Sequence, residues 1–332
     1  MLIVSSISGG TAAGDNDALV IGLVNNMPDG ALCATERQFC DLLSAASEKF
    51  PTRLRLFSLT GVPRAAEAQA HIRQYYENIS ELWTCPVDGV IITGTEPRAA
   101  SLTDEPYWPA LTEFTDWAED CRVSCVWSCL AAHAAVLYAD GICRRPMAEK
   151  LSGVFECVKA ADHPIVAGAP SGWRVPHSRH NDLPEEALIS NGYRIISHSP
   201  EVGADIFIKE RGSLSIFLQG HPEYDADTLF REYRRDVRRF LANERESYPK
   251  IPWGYFDDRT AAAFAAFEER AKRDRYSDPP LAFPQVEEKF ACAWRGHAVR
   301  LYRNWLSYLA EQRRRHAHAK FACSSVGSAR LR

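Results

Sequence analysis

The segment Val123-Ser-Cys-Val-Trp-Ser-Cys-Leu-Ala-Ala-His-Ala-Ala carries an apolar strand through Ser128 and Cys129 straight into an Ala-rich helix, with no loop between. Such a junction demands a sharp strand-to-helix turn that holds one side chain above the end of a sheet. The start of a helix gathers orphan N–H groups and partial positive charge, which favour a thiolate at Cys129. The N–H of Leu130 then points to where an oxyanion would form. Elbows of this kind usually carry glycine two positions either side of the nucleophile. Here those positions are Trp127 and Ala131, so the elbow alone leaves a buried structural cysteine open.

The surrounding chain places the elbow in an α/β fold. Residues 18–25 form a short apolar run closed by Asn25, Asn26 and Pro28, as suits a buried parallel strand. Helical spacing follows over 35–47 (Phe39, Leu42, Leu43), then a strand over 53–59, a polar helical stretch over 64–82 and a strand over 87–93 closed by Gly94. A helix over 108–120 leads to the strand of the elbow, and a helix over 130–139 leaves it. Strands alternating with helices predict a mainly parallel sheet covered on both faces, a flavodoxin-like arrangement. The second half reads as short strands (150–158, 193–199, 206–209, 214–219), a highly charged helix over 227–243 and an amphipathic one over 296–312. Residues 244–290, rich in proline and aromatics, are expected as an ordered excursion over the surface. The domain reading is an N-terminal extension over 1–17, one catalytic domain over 18–312, and a basic, frayed tail over 313–332.

A net charge of −4 provides no footprint for nucleic acid or an anionic membrane. No apolar run approaches the roughly 20 residues of a membrane span, and no basic region precedes the short apolar N-terminus. A soluble, cytoplasmic protein is expected. Its ten cysteines lack the tight pairing of disulfide scaffolds or zinc ribbons, so most are read as reduced core residues. Cys121, Cys125 and Cys129 are spaced by four, but the segment reads as strand and turn, and no metal site is expected there.

A second segment, Ile216-Phe-Leu-Gln-Gly-His-Pro-Glu-Tyr-Asp, places His221 and Glu223 just past a strand end. A thiol nucleophile needs a base, and the base needs an acceptor that fixes its tautomer. A strand-elbow Cys with a strand-end His-x-Glu is the pattern of class I glutamine amidotransferases and their relatives. Further motifs narrow this: Gly220-His-Pro-Glu-Tyr-Asp, Glu149-Lys-Leu-Ser-Gly-Val-Phe-Glu, Pro176-His-Ser-Arg, Asp88-Gly-Val-Ile-Ile-Thr-Gly and Asn25-Asn-Met-Pro. Together with Trp294-Arg-Gly-His and Asn304-Trp-Leu-Ser-Tyr, and in their order along the chain from about 18 to about 310, they resemble the homoserine O-succinyltransferase family, which shares the class I glutamine amidotransferase-like fold.

The resemblance implies ping-pong acyl transfer from an acyl-CoA co-substrate to an amino-acid hydroxyl, in methionine biosynthesis. Cys129 would carry the acyl group, with His221 as acid and base and Glu223 orienting it. Lys150, Ser178 and Arg235 match the substrate-contacting positions, and the N–H groups of Leu130 and Gly94 would form the oxyanion hole. No tightly bound cofactor is implied; the partners are small molecules, and a homodimer is left open. Two loops depart from the family pattern. Thr93-Gly-Thr-Glu-Pro-Arg places Arg98 where the family distinguishes succinyl from acetyl donors; its guanidinium could meet a dicarboxylic acyl group or pair with Glu96 or Asp104. Met27-Pro-Asp-Gly-Ala-Leu-Cys-Ala lacks the family's paired lysines, leaving serine or another amino alcohol open as acceptor. A glutamine amidohydrolase and an O-acetyltransferase are the alternative activities.

Overall fold

Five short apolar strands pair in parallel at the centre of the molecule: β2 (Leu19–Val24), β3 (Thr52–Phe57), β4 (Gly89–Thr93), β5 (Ser124–Ser128) and β10 (Leu214–Leu218). The computed structural model describes residues 2–4, 17–276, 281–285 and 290–328. Within the N-terminal extension, β1 (Leu2–Val4) pairs in parallel with β3, while residues 5–16 lie outside the described residues.

Beyond β10 the sheet changes direction. β9 (Gly203–Glu210), β8 (Arg194–Ser199), β6 (Arg145–Lys159) and β7 (Gly172–Asp182) add in antiparallel pairs, completing ten strands in the order β1-β3-β2-β4-β5-β10-β9-β8-β6-β7. Parallel pairing therefore describes one half of the sheet and antiparallel pairing the other. The sequence reading has no strand at β7, because its polar residues and Pro176 mask the alternation. β7 lies at the sheet edge, where a proline without an N–H is tolerated.

The two faces follow from the strand period of two. Ile91, Val126 and Ile216 point to the face covered by α1 (Leu32–Ala46) and α9 (Arg295–Ser328). Their neighbours Val90, Ile92, Cys125, Trp127 and Phe217 point to the face covered by α4 (Trp108–Asp120) and α5 (Leu130–Asp140). α9 lies so close that a Cβ at Gly89 would come within 2.7 Å of Trp305. The Trp305 indole donates to Ser124 Oγ at 3.0 Å, which in turn donates to the Leu214 carbonyl at 2.6 Å. The segment from Arg313, expected as a frayed tail, continues α9 as helical backbone to Ser328; its Arg, Ala and Lys residues over 313–320 have high helix propensity. The helix expected over 64–82 is split into α2 (Ala66–Tyr75) and α3 (Glu81–Thr84), with Asn78 accepting from the Ser80 N–H at the break.

The excursion over 244–290 contains a helix that the sequence reading missed, α8 (Asp258–Arg273); its residues 277–280 and 286–289 lie outside the described residues. α8 packs on α7 (Thr228–Leu241) through an aromatic cluster that includes Tyr233, Phe240, Phe264 and Phe267. This second small core fixes α7 from behind, so that its opposite side faces the sheet end. A short α6 (Glu185–Ser190) bridges β7 and β8.

Burial of histidine gives the fold a predictable acid response. His133 is 2% exposed and, through that burial, its pKa is pushed down to about 4. The unfolded chain protonates this ring near pH 6.5 and the folded chain does not, so its stabilisation is complete above 6.5. It is lost as pH falls from 6.5 towards 4. Linkage predicts a loss of about 2 kcal/mol from His133 alone between pH 7 and pH 5. His177 and His297 are also depressed by burial and act in the same direction. Urea unfolding at the two pH values checks this; equal stability at both would refute it.

Candidate active site

The C-terminal ends of β2, β4, β5 and β10 open into one cavity of about 360 Å³, at the strand ends where sheets of this kind bind ligands. Cys129 lies at its floor. Its backbone has φ 52° and ψ −112°, a positive φ forced on a non-glycine residue by the abrupt passage from β5 to α5. The turn is held by its N–H, which donates to the Leu218 carbonyl at 2.7 Å, and by its carbonyl, which accepts from Ala132 at 3.0 Å. The elbow thus forms without either flanking glycine: Trp127 is buried on the α4 side and Ala131 in the first turn of α5.

His221 follows β10 and is 5% exposed; its Nδ1 lies 2.8 Å from Glu223 Oε1. Its N–H donates to the Pro176 carbonyl at 2.8 Å, and its ring stacks on Tyr224 with centroids 4.3 Å apart. Nε2 is buried and has no hydrogen-bond partner among the described residues, leaving it free for the proton traffic of a reaction. Burial alone would lower the pKa of this ring. The negative charges of Cys129 and Glu223 outweigh that effect and raise it well above the ordinary value. Both charges thus favour the imidazolium form of His221 beside the sulfur.

Lys150, Ser178 and Arg235 all reach the cavity, and they do so as parts of one ionic network. Lys150 Nζ lies 3.1 Å from both Glu232 Oε2 and Asp236 Oδ2. Ser178 also donates to Glu232 Oε2, and Tyr224 donates to Oε1 at 2.7 Å. Arg235 donates to Asp236 Oδ1 from Nε at 3.0 Å. Burial opposes ionisation of both acids, yet Lys150 with Ser178 and Tyr224, or Lys150 with Arg235, holds their carboxyls below the usual range. Sequence reasoning missed Glu232 and Asp236. Their spacing of four puts them on one side of α7, and they are its only acids in an otherwise arginine-rich helix.

Two expected site residues sit differently. Arg98 is exposed and does not line the cavity. The buried Glu105 carboxylate accepts from the N–H groups of Arg98 (2.6 Å) and Ala99 (2.8 Å), fixing this loop beside the cavity with the Arg98 side chain outside. Nor does Arg98 pair with Glu96, whose carboxylate meets Arg239 at 3.4 Å. Gly94 does lie against the elbow, but its N–H donates to the Ser128 carbonyl at 3.2 Å. That donor is committed to strand pairing, which leaves Leu130, the first residue of α5, as the candidate oxyanion donor of the expected pair. Cys121, Cys125 and Cys129 stand at a helix end, within β5 and at the elbow; extended backbone keeps their spacing of four from gathering them.

Gly94 has a steric role instead. A Cβ there would fall 2.5 Å from Leu130 Cβ and 3.0 Å from Leu130 N. Gly94→Ala should push the β4 loop off the elbow, at a cost of about 1–3 kcal/mol, and lower kcat at least about tenfold by tilting the Leu130 N–H. Steady-state rates with a thermal melt check this; an unchanged kcat would show that the contact is not needed.

A family model described as homoserine O-succinyltransferase matches residues 5–316. The chain belongs to the homoserine O-succinyltransferase family. Among its relatives, homoserine O-succinyltransferases of Methylorubrum extorquens and Bradyrhizobium japonicum are each 47% identical to it. The first aligns over 89% of this chain and 88% of the relative, the second over 91% and 94%. A crystal structure of a glutamine amidotransferase from Thermotoga maritima is 13% identical and covers 89% of this chain and 99% of its own, with a TM-score of 0.50. That likeness concerns the fold: family membership and backbone agree on a class I glutamine amidotransferase-like α/β architecture. No described helix is long and apolar enough to cross a membrane.

Proposed function

We propose that the protein transfers a succinyl group from succinyl-CoA to the hydroxyl of L-homoserine, through an acyl-enzyme on Cys129. The observation that carries this reading is the pairing of a nucleophile elbow and His221–Glu223 with Glu232 and Arg235 around one cavity. Glu232 and Arg235 stand three residues apart on α7. A carboxylate and a guanidinium on one wall are the complement of an amino acid's ammonium and carboxylate. Glutamine hydrolysis would also use the thiol and the histidine, but it calls for no hydroxyl acceptor.

The chemistry follows from the geometry. Cys129 thiolate adds to the thioester carbonyl, and the oxyanion meets the Leu130 N–H. The bond to the CoA sulfur breaks as His221 Nε2 delivers its proton to the leaving thiolate. The neutral imidazole then removes the acceptor's hydroxyl proton, the oxygen attacks the acyl-enzyme, and Cys129 leaves again as thiolate. Glu223 keeps the proton on Nδ1 throughout, so that Nε2 is the atom that exchanges it.

With Arg98 outside, the second carboxylate of the acyl group falls to Arg144. Arg144 lines the cavity, and its buried NH1 has no hydrogen-bond partner among the described residues. Burial lowers its pKa, while Tyr107, Glu105 and Cys129 act in the opposite sense, which puts the guanidinium within electrostatic range of the nucleophile. A succinyl carboxylate there would gain charge-assisted hydrogen bonds of roughly 1.5–3 kcal/mol. Arg144→Ala should therefore cut the preference for succinyl-CoA over acetyl-CoA about ten- to a hundredfold, whereas Arg98→Ala should leave it within about twofold. The test is intact-protein mass spectrometry after exposure to each donor without acceptor, followed by kcat/KM with homoserine and serine. Failure of wild type to gain an acyl mass on Cys129 would overturn the reading.

A further inference from the structure

The outer side of α7 carries Arg231, Arg234, Arg235 and Arg238 at helical spacings of three and four, with Arg239 beside them. They line an open groove of about 470 Å³, and Arg231 and Arg235 also line the acyl cavity, so the two spaces adjoin across these side chains. Most of these charges are answered. Arg231 meets Asp227 at 3.1 Å and Asp225 at 3.6 Å, Arg235 meets Asp236 at 2.9 Å, and Arg239 meets Glu96 at 3.4 Å. Arg234 and Arg238 have no acidic partner among the described residues. Arg234 is laid over the Phe230 ring with its guanidinium carbon 5.4 Å from the centroid, and Arg238 is exposed. Glu244 is the one acid lining the groove among the described residues. A chain of net charge −4 thus concentrates unneutralised guanidinium groups at the mouth of its acyl site.

We propose that this groove is the docking site for the phosphates of the CoA donor, with Arg234 and Arg238 as their ligands. The inference rests on the acyl-CoA reading given above. Residues 231 to 238 span about 10 Å along the helix axis, so the stripe leads outward from the cavity wall as a pantetheine arm must. Guanidinium groups match phosphate oxygens in geometry as well as charge. A solvated helix face would also be charged, but it would not need to adjoin the cavity or be short of acids.

The experiment compares acyl transfer from succinyl-CoA, succinyl-3′-dephospho-CoA and the succinyl thioester of N-acetylcysteamine, which carries no phosphate. Wild type and the double variant Arg234→Glu/Arg238→Glu are measured with homoserine saturating. The variant should raise KM for succinyl-CoA at least about tenfold with kcat within about twofold. The ratio of kcat/KM for succinyl-CoA over the N-acetylcysteamine thioester should fall at least about tenfold, and the salt dependence of KM should flatten. Equal losses on both donors, or no loss on either, would overturn the docking site. Wild type that acylates Cys129 from the small thioester but shows no preference for CoA would sink the groove while sparing the acyltransferase reading. Wild type acylated by neither donor would remove that reading, and the groove with it.

Discussion

Replacing Cys129 by serine should abolish the acyl-enzyme and reduce turnover by more than about 10³-fold, with the fold unchanged. Ser differs from Cys by one atom and can take the same positive φ, so the elbow has no steric reason to rearrange. The chemistry changes sharply. The pair built here sets a thiol beside an imidazole whose pKa is raised by the charges of Cys129 and Glu223, and a hydroxyl does not ionise in that position at neutral pH. Without the thiolate, His221 also loses one of the two charges that hold its proton, and its pKa should fall. Intact-mass measurement after exposure to donor, with an NMR titration of His221, reads both effects. An undiminished rate would sink Cys129 as nucleophile, and an unmoved His221 would deny the ion pair.

The second large effect should come from Glu223→Gln. Glu223 is 4% exposed, accepts from His221 at 2.8 Å, and leaves Oε2 without a partner among the described residues. The isosteric amide fits the same space, so the melting temperature should change little. It no longer opposes burial with a full negative charge, and the imidazolium becomes harder to form. It can also turn its NH2 towards Nδ1, which selects the tautomer with the proton on Nε2, the wrong one for accepting the hydroxyl proton. A fall in kcat of about 10²–10⁴-fold is expected, along with movement of the pH–rate profile as His221 loses its elevated pKa. A loss below about threefold with an unmoved profile would make Glu223 a packing residue.

The placement of the candidate triad was legible because each member is tied to a local pattern. A strand that becomes a helix without a loop can place Cys129 in only one way, and His221 and Glu223 follow a strand end by a fixed count. The parallel strands were legible for the same reason: residues 19–24, 89–93 and 214–218 are short apolar runs buried on both sides. β7 was not, since its burial comes from long-range pairing with β6 and its sequence is polar. Asp258–Arg273 was hidden by the proline-rich segments around it, although its own Ala-rich spacing is helical. Gly94 and Arg98 show a different limit. Both lie where expected along the chain, but a backbone carbonyl at Ser128 claims the first and the carboxylate of Glu105 turns out the second. Such competition between neighbours is visible only in three dimensions. Glu232 and Asp236 were overlooked because their importance lies in what they hold, Lys150, Ser178 and Arg235, rather than in any motif of their own.

The strained backbone at Cys129 bears on how such a chain would age once released from its task. A residue with a side chain at φ 52°, ψ −112° carries a penalty of about 1–3 kcal/mol, whereas glycine occupies that region freely. Folding alone would therefore favour Cys129→Gly, and on the reaction proposed above it is demand for the thiol that keeps sulfur at the elbow. In a duplicated copy under no such demand, the nucleophile should be among the first residues to drift, and its loss would leave a sturdier, silent paralogue with His221 and Glu223 still in place.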